Sequence, residues 1–180
     1  MPVDQVFTPS AYLLGAEQAV LARLVAACSM LGLADVQVRA YAGELAVDEN
    51  GYVDVENALA RGPVIFVAFN GRQHAQASSS YGTRAETISY TCYLCARSLR
   101  SETEQVRSTY NLSEAFDLAF AGSSASTDIA IDHDMKPEAL EAKKYVQQGL
   151  QVMLVTPDAA ILAGAVDLHI LRSIDGLQTL

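Results

Sequence analysis

The chain carries little charge. Asp, Glu, Lys and Arg make up 18% of its 180 residues, against about 25% in a typical soluble domain. Acids outnumber Lys and Arg by 21 to 12, and the formal net charge is −9, so a nucleic-acid binder that works through bulk positive charge is excluded. Three cysteines, Cys28, Cys92 and Cys95, are too few and too odd in number for a disulfide framework, and a reducing cytosol is the simplest compartment. Met1 to Ser10 contains no Lys or Arg, so no secretory signal is expected. The most apolar stretch, Ala19 to Ala34, is interrupted by Arg23 and falls short of the ~20 residues of a bilayer span, so no membrane partner is expected. A G-x-x-x-x-G-K-[ST] phosphate loop, a G-x-G-x-x-G fingerprint and a G-x-S-x-G elbow are all missing, which removes the commonest sequence signals for nucleotide and acyl chemistry.

What is present is apolar. Hydrophobic residues make up 51% of the chain, enough for one domain with a sizeable core. A chain so poor in charge is expected to cover part of its outer surface by association with itself. The charge is also uneven: residues 1–60 carry net −6, residues 61–110 net +3 with Arg as the only base, and residues 111–180 net −6. Head-to-tail contact of unlike faces would use this pattern, and Arg suits interfaces better than Lys. A scattered, solvated surface is the plainer alternative.

Thr8-Pro9 reads as an N-cap and first helical residue, followed by apolar positions at helical spacing from Leu13 to Leu31, with Gly32 as the stop. Residues 1–10 are expected to form an N-terminal arm and residues 11–180 a single α+β domain. Val36 to Tyr41 alternates as a half-buried strand. Val55 to Arg61 suggests a short helix. Val64 to Phe69 is apolar on both faces and reads as an interior strand. Residues 71–84 are small and polar and are expected to be a flexible loop. Glu86 to Arg97 is a long strand with Ile88, Tyr90, Cys92, Leu94 and Ala96 on its core face; its other face is expected to meet a partner or water. Leu99 to Thr109 is expected to be a turn or short helix, Ser113 to Ala121 a second helix and Pro137 to Gln148 a third. Gln151 to Val155 and Ala165 to Leu171 read as closing strands, and residues 123–149 as an insertion. The fold class is α+β: a mixed or mainly antiparallel sheet of four to five strands with two or three helices packed on it.

Candidate chemistry is sparse. Cys92-Tyr93-Leu94-Cys95 has redox spacing, but in a strand residues three apart point to opposite faces, so both cysteines are expected to be structural. Asp132-His133-Asp134 lacks a helical His pair, Asp48-Glu49-Asn50-Gly51 has its glycine in the wrong place for a calcium loop, and Ser78-Ser79-Ser80 has no base nearby. No metal, cofactor or catalytic residue is expected, and the chain is not expected to be an enzyme. Candidate contact residues for subunits or partners are Arg72, His74, Tyr81, Arg84, Arg97, Arg100 and Arg107.

The order of segments resembles the Mu-like family of bacteriophage tail terminator, or tail-completion, proteins. The amphipathic helix from Glu17 to Leu31 carries the resemblance, with VQVRAYAGEL at 36–45, GPVIFVAFNG at 62–71, ETISYTCYLCARSLRSE at 86–102 and YNLSEAFDLAFAG at 110–122. It implies a tail-terminator-like fold and a virion protein of the tail or neck, assembled in the host cytoplasm. It further implies a hexameric ring that caps the head-proximal end of the tail tube, ends its polymerisation and joins tail to head. Implied partners are further copies of itself, the tail tube protein, a head-completion or connector protein and the tail sheath, with DNA passing through the lumen unbound. A head–neck adaptor is the nearest alternative and a small α+β enzyme the distant one.

Overall fold

A computed structural model describes residues 9–45, 59, 62–74, 83–97, 102–120, 140–156 and 159–173. The elements follow as helix α1 (Pro9–Met30), strands β1 (Gln37–Ala40), β2 (Val64–His74) and β3 (Thr83–Arg97), helix α2 (Glu102–Phe120), and strands β4 (Leu140–Gln147), β5 (Gln151–Val155) and β6 (Ala159–Ser173). The expectations at residues 1–8, 46–58, 75–82, 98–101 and 121–139 lie outside the described residues. These include the arm before Pro9, the short helix around Val55, the serine run and the Asp132-His133-Asp134 cluster.

Among the described residues six strands form one sheet in the order β1-β2-β3-β6-β4, with β5 also on β6. Only β1 and β2 run parallel; every other pairing is antiparallel. The spine is β3 against β6, paired without a break from Thr83–Ser173 to Arg97–Ala159. This is the α+β fold expected, with a sixth strand. That strand is β4, where Pro137 to Gln148 had suggested a helix. Good helix formers yield here to pairing with β6, which buries Tyr145 opposite Leu168; tertiary burial outweighs propensity differences of a few tenths of a kcal/mol per residue. Residues 140–147 are therefore part of the sheet.

Both helices pack on one face. Core residues from α1 (Ala16, Val20, Leu24), α2 (Leu112, Phe116, Phe120) and the sheet (Ile65, Tyr90, Val166) form one buried cluster. Helix α1 stops as expected. Gly32 takes φ +69°, and the Leu33 and Gly32 amides donate to the Cys28 and Ser29 carbonyls at 2.9 and 3.1 Å, closing the orphan carbonyls in a Schellman cap. Helix α2 starts eleven residues earlier than its expected Ser113. That serine lies mid-helix, its hydroxyl donating to the Thr109 carbonyl at 3.0 Å. The first turns, expected as a turn or a separate short helix over Leu99 to Thr109, are continuous with the rest of α2; they are charged and lack the apolar stripe that would show the join.

The opposite face of the sheet is divided. One half holds a second, smaller core of Phe66, Cys95, Ile161, Leu45 and Leu59. Tyr41 stands edge-on to Phe66, with centroids 6.0 Å apart, and Arg39 lies over the same ring at 4.9 Å. The chain itself thus covers part of the face expected to meet a partner or water. The other half is polar.

The expected loop at 71–84 is also shorter. Strand β2 runs to His74 and β3 begins at Thr83, so Arg72, His74 and Arg84 stand on strands. A register shift between Phe69 and Gly71 lets pairing resume at Gly71–Ser89; one extra residue in a bulge hides this continuation from a period-two reading.

Candidate assembly surfaces

Helix α1 is apolar nearly all round. Its inner residues Ala16, Ala19, Val20, Leu24, Ala27 and Cys28 are buried, yet Leu14, Val25 and Met30 are exposed, Met30 by 77%. Ala22 and Ala26 are exposed beside them. By length and composition Leu13–Met30 is long and apolar enough to cross a membrane, a test that the core helix of a globular fold also passes; the apolar run begins six residues before the expected Ala19. A third of that window is buried inside the fold. Arg23 is also held in the structure: its guanidinium donates to the Ala119 carbonyl at 3.0 Å and lies 4.8 Å from the centre of the Tyr145 ring. A cation on the last carbonyls of α2 is favourable. The outer stripe of α1 remains an apolar surface of the kind proteins normally cover.

Strand β5 is the second such surface. Its sequence, QVMLV, has no charge, and Val152, Met153 and Val155 are 68, 54 and 66% exposed. Only Leu154 turns into the second core. At the other side of the sheet a groove of about 190 Å³ runs between the end of α1 and β1, lined by Val25, Leu33, Val36 and Val38 among others. A neighbouring groove of about 220 Å³ is lined by Asp35, Pro63, Arg107 and Asn111 among others. Strand β5 falls where the sequence predicts a closing strand, Gln151 to Val155, but its place at an exposed edge comes from topology. The signal available was an uncharged strand without Lys or Pro, the residues that guard exposed edges.

The polar half of the open face is a closed lattice. Asn70 donates to Thr91 at 2.5 Å, Ser89 and Gln148 donate to the two oxygens of Asp167 at 2.6 and 3.0 Å, and Thr87 meets His169 Nδ1 at 3.0 Å. These cross-strand pairs satisfy one another and leave a hydroxyl- and amide-rich surface.

The expected contact arginines do not gather. The Arg72 guanidinium meets the Glu86 carboxylate at 2.5 Å, and that carboxylate-bearing side chain is only 1% exposed. Arg72 is thus committed within the fold. Arg97 is half-buried at the far end of β3, nine residues beyond Ile88, the partner of Arg72, or roughly 30 Å along the strand. Arg107 is exposed on α2 beside the second groove. His74 and Arg84 occupy strand positions paired with Glu86 and Arg172. Tyr81 and Arg100 lie outside the described residues.

The cysteines stand as expected. Cys92 lies in the helix-side core and Cys95 in the opposite one, so the C-x-x-C thiols are separated by the sheet. Burial pushes both up to about 12 and raises Cys28 as well. At pH 8 a thiol at that value is ionised in roughly one molecule in 10⁴. A thiol-reactive dye should therefore leave the native protein unlabelled and count three thiols after denaturation; rapid native labelling of two would contradict this geometry. Because folding holds these thiols neutral, unfolding releases protons above about pH 9, and stability is expected to fall as pH rises from there towards 12.

Fold and surface together define an α+β protein of one open sheet, helices on one side, with apolar residues left in solvent on α1 and β5. No family model matches the sequence, and no curated protein matches it. Among solved structures, a chain of the "Virion of native gene transfer agent (GTA) particle" is similar, with TM-score 0.48 and 14% identity, over 89% of this chain and 98% of that chain. At that score the likeness carries no functional weight.

Proposed function

We propose that the chain is a structural component of a phage-like virion, a subunit of a ring that caps the head-proximal end of the tail tube and joins tail to neck. The observation that carries this reading is the apolar surface left in solvent, Leu14, Val25 and Met30 on α1 and Val152, Met153 and Val155 on β5. Scattered single hydrophobics need no explanation, but an apolar helix stripe and an uncharged edge strand in one chain of 18% charge fit burial between subunits. A closed ring covers such surfaces without open growth. The order of sequence segments described above supports the tail-terminator assignment. The tube protein and a connector protein are the proposed partners on the two ring faces, with the sheath outside. The net charge of −9 suits a lumen that repels DNA and lets it slide.

Native mass spectrometry of the purified chain is expected to show a single closed oligomer, six subunits on this reading. Added to polymerising tail tube protein, it should shorten the tubes and mark one end in electron micrographs. A twelvefold ring would shift the assignment to a head–neck adaptor. A chain that stays monomeric at every concentration and leaves tube length unchanged would overturn the reading.

A further inference from the structure

We propose that β5 of one copy docks antiparallel along β1 of the next, so that the sheet continues from subunit to subunit. The proposal rests on the ring reading and names the surface that builds the ring.

The first observation is the bare edge. Among the described residues β5 has β6 on one side and no strand on the other. Proteins guard such edges with charge, Pro or bulges; β5 has an irregularity at Met153 and no charge or Pro. The second observation is height. Along one row of the sheet Val38 pairs Ile65, Ile65 pairs Leu94, Leu94 pairs Leu162 and Leu162 pairs Val152. The next row runs Arg39, Phe66, Tyr93, Ala163, Gln151. The two outer strands thus lie level with each other at opposite edges, and the alternation of pairings makes them run in opposite directions. Set against β1 of the next copy, β5 continues that row in register and antiparallel, with successive copies turned by the twist that accumulates over the four strand steps. A contact that repeats by rotation closes into a ring, whereas one with a rise builds a filament.

The third observation is the side of the sheet. Val152 pairs Leu162 and Val155 pairs Ala160, on the face that carries the helices. On that face beside β1 lies the groove lined by Val25, Leu33, Val36 and Val38. The exposed valines of one copy therefore meet an apolar groove of the next. A foreign peptide would need neither the matched height nor the matched direction, and this is what assigns the site to a second copy of the chain.

The test joins two variants. Arg39→Cys with Gln151→Cys places thiols on one row and one face. Within a chain they are four strand spacings apart, about 19 Å, far beyond the 4.4–6.8 Å Cα separation of a disulfide, so any bond between them links two copies. The native thiols are buried and do not compete. Mild oxidation is expected to give a ladder of linked chains that reductant collapses. Val152→Lys with Val155→Lys, at exposed positions, is expected to keep the native circular dichroism and reduce the native mass to one chain of 19.3 kDa. If the wild type assembles but forms no ladder with the cysteine pair, and the lysine variant assembles as the wild type does, this docking is overturned and the ring reading stands. If the wild type itself remains a single chain, both are overturned.

Discussion

Gly164→Ala is expected to destabilise the protein by ~1–3 kcal/mol, and Gly164→Val by more, because the position has no room for a side chain. A Cβ at Gly164 would meet Phe116 Cζ at 2.6 Å and Leu150 Cδ2 at 2.7 Å. Phe116 cannot swing aside freely: it is fully buried and stands edge-on to Phe120 at 5.4 Å. The glycine is where α2 comes down on the middle of β6, opposite Cys92. In a chain of this size each kcal/mol lowers Tm by roughly 2–4 °C. Urea denaturation of Gly164→Ala, Phe116→Leu and the double variant makes the test a cycle. The smaller side chain at 116 should absorb part of the cost, so the double variant should lose less than the sum; strict additivity would show that this contact does not limit the site.

Arg72→Met is expected to cost about 3–5 kcal/mol, the usual consequence of taking away one partner of a buried ion pair. The Glu86 side chain is 1% exposed and Arg72 26%, so the loss falls on a carboxylate shielded from water. Replacing both residues, Arg72→Met with Glu86→Leu, should restore most of the stability, since two apolar side chains of similar volume need no partner. Denaturation midpoints of the two variants decide the matter. If Arg72 were mainly a contact for other subunits, the single variant would keep its stability and lose assembly instead.

These effects mark where sequence reasoning stopped. Gly164 sits in AILAGAVDL, where nothing local distinguishes a close approach from a weak spot in a strand. Arg72 follows Asn70-Gly71, a dipeptide that signals a turn, so the sequence predicts a loop there; the bulge that carries β2 on to His74 is visible only when β3 lies alongside. Strand β4 was hidden for a related reason. Its residues favour a helix in isolation, and only an unfilled edge of β6 makes them a strand. By contrast, the stop at Gly32, the two faces of β3 and the separation of Cys92 from Cys95 were legible from spacing alone. Each depends on backbone geometry within a few residues, and periods of 3.6 and 2 report it directly.

The amino-acid order therefore specified local matters: α1 and its cap, the alternation of β3, an apolar content too large for so little charge. Tertiary structure alone decided which strand ends at an edge, which arginine is spent on a buried carboxylate, and that β1 and β5 stand level across the sheet. These are relations between residues distant in the chain. They arise from strand pairing and packing, which depend on the whole set of neighbours and leave no mark in any short window of sequence.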